Sequence, residues 1–211
     1  MKIFLANQNQ VRANFKLKEF IENLTEHQRA RAVRYKDLGA AFNFAIGRKL
    51  LFEGLKVLGL SEAFGDIKYS ENEKPFLDEV EFNIAHSANW AICCISKNKV
   101  GIDLEERKPI KFEDFTFFFT KTEWEIIKTN ASPYHAFYKL WTKKESFIKL
   151  FGLKLKDLEG LEFDLVQHEM TYQNTPVYFK SFILKKDFQG MVAALSPIEK
   201  LEFEIVNFTK T

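Results

Sequence analysis

Three apolar segments that follow one another near the middle of the chain constrain its fold most. They read VEFNIAH, WAICCIS and VGIDLEE, and the short polar links SAN and KNK separate them. Segments of this length that are rich in Val, Ile and Phe are typical of β-strands, and links of this length are typical of hairpins. We therefore predict a small antiparallel meander in this region.

The order of helix and then strands occurs twice along the chain. Helical periodicity extends over residues 14–58 and again over Tyr134–Phe151. Strand-like runs follow the second helix, and they read LEFDLV, VYFKSFIL, MVAAL and EFEIV. Because each half pairs helices with strands, we predict an α+β fold with two subdomains, residues 1–99 and residues 100–211.

Composition limits the classes of function. Hydrophobic residues make up 46% of the 211 residues, which is enough for a sizeable core. The 31 basic and 29 acidic residues give a net charge of +2, so we expect no nucleic-acid partner. The sequence contains neither a signal-peptide core nor a long apolar run, so we expect a cytoplasmic protein without a membrane association. Cys93 and Cys94 are adjacent, a spacing that predicts neither a disulfide framework nor a zinc site.

Two carboxylates lie in the third apolar segment, within KVGIDLEERK. In a β-strand alternate residues share a face, so Gly101, Asp103 and Glu105 are predicted to point the same way. The two carboxylates would then stand about 6 to 7 Å apart along the strand. Taken alone, the pattern is also typical of a half-buried edge strand that shows its polar face to water.

The predicted helix FYKLWTKKESFIKLFG carries three further charged candidates. Lys144 falls within the apolar stripe, so its ammonium should reach a carboxylate or a phosphate, or extend to solvent. Glu145 and Lys149 lie four residues apart at the edge of the stripe, a spacing that also fits a surface salt bridge. Together with Asp103 and Glu105, Glu145 makes a set of oxygen ligands that suits Mg²⁺ bound to a diphosphate.

Other basic residues are ordinary when each is taken alone. His86 lies near the end of the FNIAHS segment and is by default a hydrogen-bonded histidine, although it could also donate to an anion. Lys74 precedes a proline, and Arg31 lies in an arginine-rich helical segment. Such cations suit the phosphates that a Mg²⁺-dependent reaction on a diphosphate requires.

These stretches together resemble the 4′-phosphopantetheinyl transferases of the larger, surfactin-synthetase-activating type. The motifs are KPFL, FNIAHS-x-x-W, VGIDLEE and FYKLWTKKESFIKLFG, and the resemblance is clearest from Lys74 to Leu155. The family's defining pair of motifs is G-I-D-x-E, which begins here at Gly101, and W-x-x-KE-x-x-x-K, which begins at Trp141. The resemblance implies a monomer of two similar α+β subdomains in a pseudo-twofold arrangement, each a small antiparallel sheet packed on a long helix.

The activity that the resemblance implies is a group transfer. Such an enzyme moves the 4′-phosphopantetheine of coenzyme A to a serine of an apo acyl or peptidyl carrier protein and releases adenosine 3′,5′-bisphosphate. The reaction depends on Mg²⁺, with Mn²⁺ as the other candidate metal. The carrier is expected to be acidic, and KFEDFTFFFTKTEW resembles the family's carrier-contacting segment, although its Phe residues could equally pack the second subdomain.

The resemblance also implies roles for individual residues. Asp103, Glu105 and Glu145 match the metal ligands, and Glu145 also matches the residue proposed to take the serine proton, directly or through a water. Lys149 matches a lysine on the diphosphate, so Glu145 and Lys149 are the catalytic candidates. The implied coenzyme A-binding residues are Arg31, Lys74, His86, Asp103, Glu145 and Lys149, with Arg31 and His86 at the 3′-phosphate and Lys74 at the adenine end.

Three positions depart from the family pattern near the expected 3′-phosphate site. Ala85 stands where the family often has serine, and Gln28 and Asn43 stand where cations are expected, although Arg48 lies close to the latter. The departures predict weaker selectivity for coenzyme A over 3′-dephospho-coenzyme A than in typical members.

Two alternatives remain open. One is a Mg²⁺-dependent phosphodiesterase or nuclease, although neither the even charge balance nor a set of base-stacking aromatics supports it. The other is a non-catalytic homologue that binds coenzyme A or a carrier protein, although all three matched carboxylates are present.

Overall fold

A computed structural model describes residues 1–70 and 74–210. The predicted loop SENEKP lies partly outside the described residues, because it includes residues 71–73. Two compact units emerge, residues 1–97 with 200–211, and residues 98–199. The predicted boundary between residues 99 and 100 stays a prediction, and the described C-terminal residues 200–210 belong to the first unit.

Helices and strands are numbered separately in chain order. The α-helices are α1 (Gln8–Asn14), α2 (Leu17–Phe20), α3 (Glu26–Val33), α4 (Leu38–Val57), α5 (Lys121–Thr129) and α6 (Pro133–Phe151). The strands are β1 (Lys2–Asn7), β2 (Lys68–Tyr69), β3 (Pro75–Phe76), β4 (Glu81–Ser87), β5 (Trp90–Ser96), β6 (Val100–Glu106), β7 (Glu169–Tyr172), β8 (Thr175–Leu184), β9 (Phe188–Ala194) and β10 (Glu202–Ile205). Short 3₁₀ helices cover Ser61–Asp66, Phe112–Phe118 and Leu155–Leu158.

The first unit is built on a sheet with strand order β10-β1-β5-β4. β4 and β5 form the predicted hairpin, and β1 pairs antiparallel with β5 and parallel with β10. α4 covers one face, where Ile46 and Leu50 share a core with Phe4 and Phe82. Gly47 permits this approach, because a Cβ there would lie 2.7 Å from a methyl carbon of Ile84. The unit is therefore a small sheet packed on a long helix.

The second unit is built on an antiparallel sheet with strand order β6-β9-β8-β7. α6 shares its core with this sheet through Phe137, Leu140 and Phe147, which are buried together with Val177 and Met191. The predicted helix over Tyr134–Phe151 is confirmed, and Gly152 ends it in the left-handed conformation with φ of 71°. The α+β fold class, with a sheet packed on a long helix, is thus confirmed in both units.

One predicted strand pairing and one predicted strand are wrong. VGIDLEE is a strand, but it pairs with β9 rather than continuing the meander from β5. Alternation of apolar residues identifies a strand without identifying its partner. LEFDLV is not a strand, because side chains bind its backbone groups: Glu123 accepts from Phe163 N, and Lys143 donates to Asp164 O.

Across the described part of the chain, no helix combines the length and the hydropathy that a membrane crossing requires.

Candidate functional site

The carboxylate face of β6 lies directly against α6. Gly101 shares this face with Asp103 and Glu105, and a Cβ at Gly101 would overlap backbone atoms of Ser146 and Leu150. The missing side chain lets the helix backbone approach the strand closely. As a result, the side chains of Asp103 and Glu105 stand beside the helix that carries Glu145 and Lys149.

An ion pair joins the two motifs. Lys149 Nζ donates to Asp103 Oδ1 over 2.6 Å, and the side chains are 28% and 5% exposed. The other carboxylate oxygen, Asp103 Oδ2, is buried and has no hydrogen-bond partner within the described residues. An unpaired buried carboxylate oxygen is costly unless a cation or donor approaches it. The structure therefore brings Asp103 and Lys149 together and leaves one ligand atom available.

Glu145 and Glu105 also act on this ion pair. Burial raises the pKa of Glu145, and its attraction to Lys149 lowers it, while Asp103 raises it further. Burial likewise raises the pKa of Asp103 against the opposing effect of Lys149. For Lys149, burial lowers the pKa, but Asp103, Glu145 and Glu105 together outweigh it, so the pKa is raised. The charges of three carboxylates thus act on one ammonium in a partly buried position.

The donor set fits a hard divalent cation in its chemistry. Carboxylate oxygens are the ligands that Mg²⁺ prefers, and Asp103 Oδ2 is a buried oxygen without a partner in the described residues. Within those residues, however, no three His, Cys, Asp or Glu side chains are gathered closely enough to hold a metal. The assignment of Asp103, Glu105 and Glu145 as metal ligands therefore stays a prediction.

Lys144 reaches a carboxylate, as its place in the apolar stripe predicts. Its Nζ lies 2.9 Å from Glu123 Oε2, and both side chains are almost fully buried. Sequence reasoning did not identify Glu123 as this partner, although the capping box in TKTE places it in the first turn of α5. The pair is part of the core of the second unit.

Gln189 is a further polar residue on the carboxylate face. It lies directly opposite Glu105 in the pairing of β6 with β9, is 1% exposed, and donates to Gly190 O over 2.8 Å. Opposite residues of an antiparallel pair share a face. No signal in the sequence pointed to Gln189, because the pairing of β6 with β9 was not predicted.

The first unit holds a basic and aromatic cluster. The Arg31 guanidinium lies over the rings of Phe44 and Tyr69, at 5.4 and 5.8 Å. The Arg48 guanidinium lies 5.0 Å from the Phe44 ring, and its buried Nε, like the hydroxyl of Tyr69, has no hydrogen-bond partner in the described residues. A cavity of about 380 Å³ opens beside this cluster, and its lining residues are His27, Ala30, Arg31, Arg34 and Tyr35. Arg31 therefore lies in surroundings that suit an anion.

Lys74 and His86 lie at the ends of strands in the same unit. Lys74 precedes β3, and its carbonyl accepts from Ser70 N over 2.9 Å in the hairpin that pairs Tyr69 with Pro75. Because Ser70 follows Tyr69, this hydrogen bond brings the backbone of Lys74 close to Tyr69, the β2 residue whose ring Arg31 contacts. His86 is exposed near the end of β4, in an edge strand that packs on α4.

The three departures from the family pattern have structural roles. Gln28 is 2% exposed and completes a capping box with Thr25. Asn43 accepts from Gln8 Nε2 over 2.8 Å and donates to Ala88 O over 3.3 Å. Ala85 is 2% exposed within β4. The Gln28 and Asn43 amides are therefore engaged within the protein.

The aromatic segment before α5 divides into packed and exposed residues. The ring of Phe112 packs against that of Phe137, and the rings of Phe115 and Phe118 pack against that of Trp141. Phe117, in contrast, is 93% exposed. Phe119 is buried and packs on the rings of Phe137 and Trp141 as well. The interpretation that these Phe residues pack the second unit therefore holds for four of the five and fails for Phe117.

Comparison with known proteins identifies relatives that are named 4′-phosphopantetheinyl transferases. The family model of the 4′-phosphopantetheinyl transferase superfamily matches residues 99–192. The chain is 34% identical over 145 residues to the 4′-phosphopantetheinyl transferase Sfp of Bacillus subtilis (strain 168), a match that covers 63% of this chain and 65% of that protein. It is 35% identical over 136 residues to the 4′-phosphopantetheinyl transferase gsp of Aneurinibacillus migulanus, covering 62% and 56%.

A third relative is matched over more of its length. The chain is 30% identical over 152 residues to a 4′-phosphopantetheinyl transferase of Bacillus subtilis, a match that covers 68% of this chain and 67% of that protein. The matches to the first two relatives span less than two thirds of their lengths. The family model covers β6 to most of β9, and with them both motifs that meet at Lys149.

Proposed function

We propose, on the premise that this chain belongs to the 4′-phosphopantetheinyl transferase superfamily, that it transfers 4′-phosphopantetheine from coenzyme A to a serine of an apo acyl or peptidyl carrier protein. The observation that carries the proposal is the ion pair of Lys149 with Asp103, which joins the two family motifs. Transfer of a group from a diphosphate requires a cation that binds the phosphates and a base that takes the proton of the attacking hydroxyl. Lys149 and Glu145 supply these two functions.

The proposed reaction breaks one bond and forms one. The serine Oγ attacks the phosphorus that carries the pantetheine arm, and a new P–O bond forms. The diphosphate P–O bond to the nucleotide breaks, and adenosine 3′,5′-bisphosphate leaves. Glu145 takes the serine proton, directly or through a water, and burial favours this role because it raises the pKa of the carboxyl group. Lys149, whose pKa is raised, remains a cation and binds the diphosphate.

A divalent cation, Mg²⁺ or Mn²⁺, would be held by Asp103, Glu105 and Glu145. When bound, it would neutralise charge on the diphosphate. The partnerless oxygen Asp103 Oδ2 supports this part of the proposal.

The nucleotide end of coenzyme A is proposed to bind to the first unit. Arg31 and His86 are the candidates for the 3′-phosphate, and Lys74 is the candidate for the adenine end. The basic and aromatic surroundings of Arg31 support this assignment, because guanidinium groups and rings recognise phosphates and bases.

The proposed partner is an acidic carrier protein. Phe117 offers an exposed aromatic anchor, and Lys121, four residues later, is an exposed cation. An apolar anchor together with a cation is complementary to an acidic surface. We further propose a cytoplasmic monomer that binds neither nucleic acid nor a membrane.

Intact mass measurement tests the proposal directly. The protein is incubated with coenzyme A, Mg²⁺ and an apo carrier protein, and the carrier is weighed. A gain of one phosphopantetheine is expected, together with release of adenosine 3′,5′-bisphosphate. A carrier whose acceptor serine is replaced by alanine should gain nothing. Release of free phosphopantetheine without a gain would indicate a phosphodiesterase instead.

Two variants test the site. Glu105→Ala and Glu145→Ala should abolish the gain while leaving the thermal unfolding temperature close to that of the wild type. Calorimetric titration with Mg²⁺ should show weaker binding to both variants, which tests the metal assignment apart from activity. Full activity in either variant would remove that residue from the site.

A further inference from the structure

The side chain of Tyr138 holds the backbone at the end of the carboxylate strand. Tyr138 lies in α6 and is 4% exposed. Its hydroxyl donates to Lys108 O over 3.0 Å and accepts from Lys108 N over 3.4 Å. One side chain thus binds both polar backbone groups of Lys108, two residues after β6 ends.

Arg107 adds a second set of contacts at the same point. Its backbone N donates to Asp187 O over 2.6 Å, and its guanidinium donates to Lys186 O. Another guanidinium nitrogen lies 2.9 Å from His135 Nδ1. A guanidinium can only donate, so His135 must accept with the lone pair of a neutral imidazole. The chain leaving β6 is therefore tied both to α6 and to the turn between β8 and β9.

Three contacts, which we call ties, connect β6 and the residues just after it to α6. The first is the close approach of Gly101 to the backbone of Ser146 and Leu150. The second is the ion pair of Asp103 with Lys149, and the third is the binding of Lys108 by Tyr138. The second and third ties lie on either side of Glu105 in the sequence.

Glu105 lies between the second and the third of these ties in the sequence. Its negative charge acts on both Lys149 and Tyr138, so it lies within electrostatic reach of the ties on both sides. Gln189 lies opposite it in β9 and donates to a backbone carbonyl. The ties therefore hold the chain on both sides of Glu105.

We propose that Tyr138 is a positioning residue for Glu105, acting through the backbone of Lys108. This proposal rests on the proposed transferase function. The Tyr138 ring packs in the core of the second unit, and its hydroxyl makes the tie. Removing the hydroxyl alone should therefore loosen the end of β6 without unfolding the unit.

The test compares Tyr138→Phe with Tyr134→Phe, a tyrosine four residues earlier in α6 that is 43% exposed. Hydrogen exchange followed by mass spectrometry should show faster exchange of the backbone amides of residues 105–108 in Tyr138→Phe only. The kcat of phosphopantetheine transfer should fall on the order of 10-fold, as is typical when a residue that orients a site residue, without contacting the substrate, is replaced. The KM for coenzyme A should stay unchanged.

The outcomes separate positioning from simple support of the fold. Unchanged exchange in Tyr138→Phe, or faster exchange with wild-type kcat, would overturn the proposal. Equal effects of both variants would overturn it as well. If the wild type transfers no phosphopantetheine, the proposed function fails, and the exchange comparison still decides whether Tyr138 holds the strand end.

Discussion

Lys144 Nζ lies 2.9 Å from Glu123 Oε2, and the two side chains are 1% and 0% exposed. Glu123 also accepts from Thr120 N over 2.7 Å and from Phe163 N over 2.8 Å. The carboxylate thus joins the start of α5, the middle of α6 and the irregular segment around Phe163. An ammonium in an apolar stripe is stable at this position because its partner carries the opposite charge and is itself fully hydrogen-bonded.

Removing one member of this pair should destabilise the protein strongly. We expect Lys144→Met to lower the free energy of unfolding by about 3–5 kcal/mol, because it leaves the Glu123 carboxylate buried without its cation. Chemical denaturation monitored by tryptophan fluorescence measures the loss. The double variant Glu123→Gln with Lys144→Met should lose less than the sum of the two single changes. Additive losses would contradict the coupling.

A side chain at Gly101 should separate strand from helix. We expect Gly101→Ala to cost about 3 kcal/mol, the upper end for overpacking, because the added Cβ meets backbone that cannot rotate away. Phosphopantetheine transfer should fall as well, since α6 carries Glu145 and Lys149. Gly65→Ala is the matched control, because a Cβ there meets nothing within 4 Å, and its stability should stay within about 0.5 kcal/mol. Equal stability of both variants would contradict the close approach.

Phe117 should matter for partner binding rather than for stability. Its 93% exposure means that Phe117→Ser removes little packing, so the unfolding temperature should hardly change. Binding of the apo carrier, measured by surface plasmon resonance, should weaken by at least about tenfold if this ring is an interface anchor. Phe115→Ser is the contrast, because Phe115 packs against Phe137 and Trp141 and its loss should lower stability. Unaltered carrier affinity in Phe117→Ser would exclude it from the interface.

Arg31 should determine selectivity for the 3′-phosphate. Of the three helical positions matched to cations near the 3′-phosphate, 28, 31 and 43, it is the one that carries a cation, since Gln28 and Asn43 are amides engaged in contacts within the protein. Arg31→Ala should lower kcat/KM for coenzyme A by about 10- to 100-fold, the cost of a lost charged hydrogen bond. The value for 3′-dephospho-coenzyme A should stay nearly the same. The wild type itself should discriminate less between the two than the relatives do, and discrimination as strong as theirs would contradict this expectation.

The cysteines should be inert in the folded protein. Burial raises the pKa of Cys94 to about 12, and it raises the pKa of Cys93 as well. Unfolded cysteine has a pKa of about 8.5, so the unfolded state loses these protons first and stability should fall as pH rises from about 8.5 towards 12. A disulfide reagent at pH 8 should modify neither thiol until denaturant is added. Rapid labelling of the native protein would disprove the burial.

Much of the candidate site follows from periodicity and spacing alone. The alternation in VGIDLEE places Asp103 and Glu105 on one face, and the helical period places Glu145 and Lys149 at one edge of α6. Both patterns depend only on local backbone geometry, so one sequence is enough to predict them. The spacing of the two motifs was also enough to indicate the family that the comparisons then showed.

The sequence by itself determined most of the elements and the chemical types of the site residues, while the tertiary structure decided their partners. β6 pairs with β9, Lys144 pairs with Glu123, and Tyr138 binds the backbone of Lys108. Each of these contacts joins residues that are far apart in the chain, and their formation depends on how the helices and strands pack. Periodicity reports which face a residue occupies, and only packing decides what lies opposite that face.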